Sequence, residues 1–188
     1  MKKIIALFLF VGIVGCSSNK ANFYQPIEVK EPKVSYNNFK DTVRINPIML
    51  PQLVARPQIT TLGDDDVELN IDEFNRWGAP LDKLIAQVIN DNLSNIFSEA
   101  IIVNHSSFRK NYKFDVTVEF KNINGRLGEF AKIDAVYYIK DKNQKVIKSN
   151  NFYKTNTFKG GYIEYVKTIS AILGELSETI ANDLVSIK

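Results

Sequence analysis

The chain has 188 residues, 24 of them Lys or Arg and 21 Asp or Glu, with a single cysteine, Cys16. Its 45% hydrophobic content is enough for one core, and the length most simply predicts one domain. Removing Lys2 and Lys3 with residues 1–15 leaves 22 basic against 21 acidic residues, a net charge of +1. A balance this even argues against a nucleic-acid partner, which a basic excess would recruit.

The first fifteen residues have the pattern of a signal peptide. A short positive segment, Met1–Lys3, precedes the apolar run 4–14, which is shorter than the roughly 20 residues of a membrane span. The run ends Ile-Val-Gly-Cys, which resembles the bacterial lipobox. We therefore expect cleavage before Cys16 and attachment of S-diacylglycerol and N-acyl groups to it. The alternative is an ordinary signal peptide with an incidental cysteine.

Acylation of Cys16 has consequences for location and chemistry. The modified sulfur would be unavailable for a disulfide, and we expect no cofactor beyond the covalent lipid. Ser17 stands where an Asp is the usual signal for inner-membrane retention in enteric bacteria. We therefore expect an outer-membrane anchor with the protein facing the periplasm. Residues 16–30 are predicted to form the lipidated N-terminus and tether, and residues 31–188 a single domain.

The first half of this domain predicts short strands, a loop and a helix. Strands are expected around 34–39 and over 43–50, the second ended by Pro51, which cannot donate to a continuing ladder. Residues 51–66 predict a loop, and 67–71 a third strand with Val67, Leu69 and Ile71 on one face. Pro80 fits the first turn of a helix whose apolar residues recur at helical spacing as far as Phe97.

The second half predicts three strands and a long helix. Residues 114–120 alternate apolar and polar, and Asn124-Gly125 just beyond predicts a bend or turn. The segments 131–140 and 146–158 predict two further strands, and one apolar stripe predicts a helix from Tyr162 to about Ile187. The fold class expected is α+β, a mainly antiparallel sheet with two amphipathic helices packed on one face.

Two short motifs carry a family resemblance. Arg56-Pro57-Gln58-Ile59 follows a proline-ended strand, and Arg76-Trp77-Gly78-Ala79-Pro80-Leu81 precedes the predicted helix. Together these resemble the ABC-type transport auxiliary lipoproteins, with the closest agreement over residues 43–97. Gly78-Ala79 departs from the family, which tends to have Ala and an acidic residue there. The resemblance implies an accessory lipoprotein that docks a periplasm-spanning MCE-domain protein in intermembrane lipid transport and has no enzymatic activity.

Four residues of these motifs are candidates for partner binding: Arg56, Gln58, Arg76 and Trp77. Arg and Trp are enriched at interface hot spots, so these side chains would line a docking surface with Trp77 as its anchor. The structural alternative is that Trp77 packs under the helix and Arg76 pairs with an acid such as Asp72 or Glu73. Both hold if a buried Trp77 fixes the loop that presents Arg56.

Other functional classes find little support in the sequence. The lone His105 lies in a predicted surface loop without a recognisable nucleophile nearby. Asp64-Asp65-Asp66 lacks the spacing of a calcium loop and predicts a solvated turn, so we expect no metal site. The rival function is a stand-alone lipoprotein that binds a small apolar ligand or cell-envelope component, which a large apolar pocket would favour. The small size also leaves room for a homo-oligomer that forms a conduit.

Overall fold

The computed structural model describes residues 20–105 and 111–187. The predicted signal peptide and Cys16 lie outside these residues. In chain order the described elements are β1 (Asn22–Tyr24), β2 (Thr42–Ile45), β3 (Gln58–Leu62), β4 (Leu69–Trp77), α1 (Leu81–Ile96), β5 (Ile101–Asn104), β6 (Phe114–Arg126), β7 (Phe130–Asp141), β8 (Val146–Thr157) and α2 (Tyr162–Ser186).

The larger of two sheets has the strand order β5-β2-β6-β7-β8. Strands β6, β7 and β8 form the antiparallel meander that the alternating sequence predicts. Strand β2 is parallel to both of its neighbours, β5 and β6. The α+β class is therefore confirmed, whereas "mainly antiparallel" describes this mixed sheet only roughly.

The core lies between the large sheet and the two helices. One face of β6 and β7 is buried at alternate positions, among them Val116, Val118, Ile133 and Tyr137. The helices meet that face with apolar residues at helical spacing, such as Ile85 and Ile89 of α1 or Ile169 and Leu173 of α2. These fully buried side chains confirm the packing of both amphipathic helices on one face.

The smaller sheet has the order β1-β4-β3, with β1 parallel and β3 antiparallel to the central strand. The sequence did not predict β1, and it assigned β3 to a loop. The strand predicted at 67–71 begins at Leu69 and extends to Trp77. Val67, Leu69 and Ile71, which were predicted to share one face, are all exposed, Val67 most of all at 83%.

Other boundaries also differ from prediction. The strand expected at 34–39 is only a single bridge between Tyr36 and Phe97, because this segment packs through its aromatic rings, with Phe39 stacked 4.5 Å from Phe97. The strand expected over 43–50 ends at Ile45. Strand β6 continues through Asn124-Gly125, and the chain turns after Arg126 instead.

A strap, residues 25–37, runs along the outside of the helix pair. Its backbone donates to three helix side chains: Ile27 N–H to Ser170 Oγ, Val29 N–H to Asn92 Oδ1 and Lys33 N–H to Glu178 Oε1, at 3.1, 2.7 and 2.8 Å. The Tyr36 hydroxyl continues the series to Asn182 Oδ1 at 2.5 Å. Part of the segment predicted as a tether, from Asn22 onward, therefore packs against the domain.

Candidate partner-binding surface

A local bulge shapes the strand that carries the candidate residues. Strand β4 pairs Arg76 with Gln58 and Ile71 with Thr60, so it holds extra residues between these pairs. Asp72 Oδ1 accepts hydrogen bonds from the backbone N–H groups of Phe74 and Asn75 at 2.7 and 3.1 Å. This is the local side-chain bonding by which Asp stabilises turns. These hydrogen bonds shape the bulge that shifts the register of β4 against β3 before Arg76.

The bulge is tied to both the N-terminal strand and the last helix. Asp72 Oδ2 accepts from the Tyr162 hydroxyl at 3.0 Å and from Asn75 Nδ2 at 2.9 Å. The Tyr24 hydroxyl donates to Asn75 Oδ1 at 2.7 Å, and its ring lies 6.0 Å from that of Tyr162. Burial and the adjacent Asp72 raise the pKa of Tyr162 to about 12. Although burial opposes it, hydrogen bonding from Asn75, Phe74 and Tyr162 leaves the pKa of Asp72 lowered.

Two of the four candidates lie side by side on the outer face of the small sheet. Arg76 is the register partner of Phe23 on β1 and of Gln58 on β3, and paired positions project to the same side of a sheet. Gln58 Nε2 donates to Glu73 Oε2 at 3.0 Å. Ile71 and Leu69, both more than a third exposed, extend this face along β4. The outer face thus combines Arg76 with exposed apolar side chains.

Arg76 has neither of the ion pairs considered for it. Asp72 is occupied by Asn75 and Tyr162, and Glu73 accepts from Gln58. Within residues 20–105 and 111–187, no salt bridge or hydrogen bond involves the Arg76 side chain. Arg76 is half-buried as a residue, and its guanidinium is available to an external acceptor.

Trp77 points the other way, into the core, and is only 6% exposed. Its backbone N–H donates to the Pro57 carbonyl at 2.7 Å, and the next N–H, of Gly78, donates to the Tyr24 carbonyl at 2.8 Å. This burial is what the structural alternative predicted. Trp77 is placed to hold the two motifs together, and it does not offer an exposed anchor.

Arg56 lies outside the sheet, one residue before Pro57. Its side chain is half-buried, and its Nε has no hydrogen-bond partner among the described residues. The structure thus brings Gln58, Arg76 and Trp77 to adjacent positions. Arg56 precedes Pro57, whose carbonyl accepts the hydrogen bond from the Trp77 N–H.

A polar network on the large sheet escaped the sequence analysis. The fully buried Asp115 accepts from Arg44 Nη2 at 2.5 Å, Asn46 Nδ2 at 2.6 Å and Gln144 Nε2 at 3.0 Å. The Arg44 guanidinium also lies 3.8 Å from the centre of the Tyr112 ring. Alternation placed Asp115 on the solvated side of its strand, so only the parallel pairing with β2, which brings Arg44 opposite it, reveals this site.

The described surface carries open grooves next to polar and apolar side chains. A groove of about 550 Å³ is lined mostly by polar residues, including Lys40, Asp41, Lys113 and Lys142. A second, of about 480 Å³, lies at the β4 bulge and includes Ile71, Phe74 and Tyr162. Across the described chain, no three His, Cys, Asp or Glu residues cluster as metal ligands would. None of the described helices is long and apolar enough to cross a membrane.

The fold and this surface define a small α+β domain in which a mixed sheet is covered by two helices and an auxiliary sheet presents Arg76. The chain belongs to the family described as ABC-type transport auxiliary lipoprotein components, whose profile matches residues 25–181. The family resemblance carried by the Arg56–Ile59 and Arg76–Leu81 motifs is thereby confirmed. The family is one of transport components and not of enzymes.

Solved structures show the same fold at low sequence identity. One uncharacterized protein is 20% identical, with a TM-score of 0.69 over 82% of this chain and 99% of its own. A Xanthomonas campestris protein of family DUF330 is 12% identical, with a TM-score of 0.67 over 85% of this chain and 92% of its own. No curated protein sequence matches the chain significantly.

Proposed function

We propose that this protein is an outer-membrane lipoprotein, anchored through acylated Cys16 and facing the periplasm, that docks an MCE-domain protein of an ABC-type lipid transport system. It acts there as an accessory without catalysis of its own. Membership of the auxiliary lipoprotein family supports the transport role. The lipobox-like sequence before Cys16 supports the anchor, and Ser17 supports the outer membrane.

The docking role is supported above all by the unpaired guanidinium of Arg76. Its guanidinium has no ion pair or hydrogen bond among the described residues, although acidic side chains lie nearby on the same strand. Arg is enriched at interface hot spots, and a planar guanidinium binds carboxylates through two parallel hydrogen bonds. A carboxylate or carbonyl of the partner would supply the hydrogen-bond acceptor that the Arg76 guanidinium lacks.

The surroundings of Arg76 suit a protein partner. Gln58 lies beside it in register, and Ile71 and Leu69 add partly exposed apolar area on the same face. Apolar patches next to polar groups are typical of interaction sites. Trp77, buried behind them, supports the strand that presents Arg76, and Arg56 lies at the rim.

The experiment is a pull-down of the acylated full chain from detergent-solubilised envelopes, with bound proteins identified by mass spectrometry. We expect recovery of an MCE-domain protein, and loss of most of it with Arg76→Glu. Lys145→Glu is the matched control, because Lys145 is exposed in the β7–β8 turn, away from the small sheet. It makes the same charge change and should leave recovery intact.

Two results would count against the docking role. Equal loss with Arg76→Glu and Lys145→Glu would mean that overall charge matters and not this surface. Recovery of no MCE-domain protein, together with a stoichiometric apolar ligand on the isolated monomer, would favour the stand-alone binding lipoprotein. Thermal unfolding of each variant would separate lost binding from lost folding.

A further inference from the structure

Phe23 is an exposed aromatic residue whose direction is set by its neighbours in β1. Asn22 Nδ2 and the Tyr24 hydroxyl both donate to Asn75 Oδ1, at 3.4 and 2.7 Å, so these side chains share one side of the small sheet. That side faces the core, because Tyr24 is the register partner of the buried Trp77. Successive side chains of a strand project to opposite faces. Phe23 therefore projects from the outer face, where it is 67% exposed.

One residue from each strand of the small sheet stands beside the next on this outer face. Phe23 of β1 is the register partner of Arg76 on β4, and Arg76 is the register partner of Gln58 on β3. Register partners project to the same side, and neighbouring strands are about 5 Å apart, so the three residues form a row about 10 Å long. This outer row (Phe23, Arg76 and Gln58) has an aromatic ring at one end, a cation in the middle and an amide at the other end.

The backbone beneath the outer row is held at both edges of β4. The Trp77 N–H donates to the Pro57 carbonyl at 2.7 Å, and the Gly78 N–H donates to the Tyr24 carbonyl at 2.8 Å. These bonds fix β4 against the two segments that carry the ends of the row. A surface whose backbone is already ordered loses less conformational entropy when it binds, and this favours association.

The composition of the outer row is that of an interface hot spot. Aromatic and Arg side chains are enriched at the centres of protein interfaces, where they fill pockets of the partner. Trp77 was expected to supply such an anchor and is buried, whereas Phe23 has its exposed ring next to Arg76. We propose that Phe23 is the apolar anchor of the docking surface and enters a pocket of the MCE-domain partner, beside a carboxylate that Arg76 binds. This inference rests on the proposed function and adds the anchor residue and the chemistry of the pocket.

The charges around the outer row favour a protein partner over a lipid surface. Gln58 Nε2 donates to Glu73 Oε2 at 3.0 Å, so a carboxylate lies beside the row. Anionic headgroups attract clusters of cations and repel carboxylates. A protein pocket matches both charges, with a carboxylate opposite Arg76 and a hydrogen-bond donor opposite Glu73.

The tether places the outer row close to the lipid anchor. Phe23 is seven residues after Cys16, and seven residues span at most about 25 Å when fully extended. With Cys16 acylated, the partner must come within this reach of the membrane in order to bind Phe23. The pocket therefore belongs to the membrane-proximal end of the partner, and phospholipid is the competing neighbour that the experiment has to distinguish.

The test is photo-crosslinking of the acylated full chain in intact envelopes. A benzophenone amino acid replaces Phe23 in one variant and Tyr153 in the control. The two positions are matched, because both side chains are aromatic and are 67% and 66% exposed, but Tyr153 lies on β8 of the large sheet. Mass spectrometry then identifies the protein or lipid attached at each position.

The product attached at position 23 decides between the partner and the bilayer. We expect a cross-link to the MCE-domain protein whose yield falls several-fold when Arg76→Glu is added to the same chain, and little of this product at position 153. Attachment of position 23 to phospholipid in place of protein would assign Phe23 to the bilayer and overturn the inference. Equal yields at the two positions would overturn it as well, because the contact would then not depend on the outer row.

Truncation of the ring gives an independent measurement. Phe23→Ala should reduce recovery of the MCE-domain protein in the pull-down about tenfold, as expected for a hot-spot side chain, whereas Tyr153→Ala should leave it unchanged. Full recovery with Phe23→Ala would overturn the role of Phe23 and leave the proposed function intact. Recovery of no MCE-domain protein by the wild type would overturn both. Melting temperatures of the variants should match the wild type, because exposed side chains contribute little to folding.

Discussion

The Tyr162 hydroxyl donates a hydrogen bond to Asp72 Oδ2 over 3.0 Å, which joins the first residue of α2 to the bulge of β4. The same carboxylate group fixes the bulge itself through the backbone of Phe74 and Asn75. The position of Arg76 on the outer face therefore depends on a contact between the small sheet and the helix layer.

Removing this contact should destabilise the domain modestly. For Tyr162→Phe we expect a loss of about 1 kcal/mol in the free energy of unfolding, the usual contribution of one hydrogen bond, measured by urea denaturation. Tyr153→Phe is the control, because Tyr153 is exposed on β8 and has no hydroxyl contact within the described chain. Equal effects of the two substitutions would contradict a specific role for the Asp72 contact.

The same residue should make stability depend on alkaline pH. Burial and Asp72 raise the pKa of Tyr162 from 10.0 to about 12 in the folded protein. A raised folded pKa contributes stability that is complete below pH 10 and is lost as the pH rises towards 12. The difference in unfolding free energy between wild type and Tyr162→Phe should therefore shrink from pH 9 to pH 11.

Other buried tyrosines do not obscure this measurement. Burial also raises the pKa values of Tyr137 and Tyr165. Tyr137 is present in wild type and variant and cancels in the difference. The pKa of Tyr165 is raised further by Tyr162, a contribution that acts in the same direction as that of Tyr162 itself. A difference that stays constant between pH 9 and pH 11 would show that Tyr162 titrates alike in the folded and unfolded states.

Gly174 should resist substitution because the strap lies on it. A Cβ at this position would come within 2.6 Å of Val29 Cγ2, closer than two carbon atoms allow. Gly174→Ala gains helix propensity of about 1 kcal/mol but must push the strap away, and overpacking of this kind costs about 1–3 kcal/mol. We expect net destabilisation in urea denaturation.

The double variant Gly174→Ala/Val29→Ala tests the cause. Truncating Val29 removes the clashing atom, so the double variant should be more stable than the additive effect of the two single changes. Strict additivity would mean that the loss at Gly174 arises elsewhere.

The buried carboxylate of Asp115 should be the most sensitive polar position of the large sheet. Asp115→Ala leaves the Arg44 guanidinium, Asn46 and Gln144 without their common acceptor, and breaking a buried ion pair in this way costs about 3–5 kcal/mol. Asp115→Asn keeps one acceptor oxygen and should lose less. If urea denaturation ranked the two variants in the reverse order, the network would not be the source of the stability.

Sequence periodicity predicted the elements that bury one regular face. A single shared core contacts one side of α1, α2, β6, β7 and β8. Apolar residues therefore recur every three to four positions in the helices and at every second position in the strands, and this spacing is visible in the sequence. The short strands have no such signal. Strand β1 has three residues and β5 four, and both are specified by partners distant in sequence.

The candidate surface was predictable only in part. The motifs pointed to Gln58 and Arg76, and the sheet does bring these two into register. The burial of Trp77 was the structural alternative, and it becomes visible only through the three-dimensional pairing with Tyr24 and Pro57. The exposure of Leu69 and Ile71 on β4 was not predictable, because alternation reveals that one side of a strand differs from the other without revealing which side is covered.

The strap also constrains when the chain can fold. Its hydrogen bonds to α2 join residues 143 to 146 positions apart, from Ile27–Ser170 to Tyr36–Asn182, and β2 likewise pairs with a strand made much later. Contacts of such long range slow folding, since large loops must close before they form. A chain that emerges N-terminus first cannot complete the contacts of its strap until α2 has formed, although the bonds to α1 can form earlier.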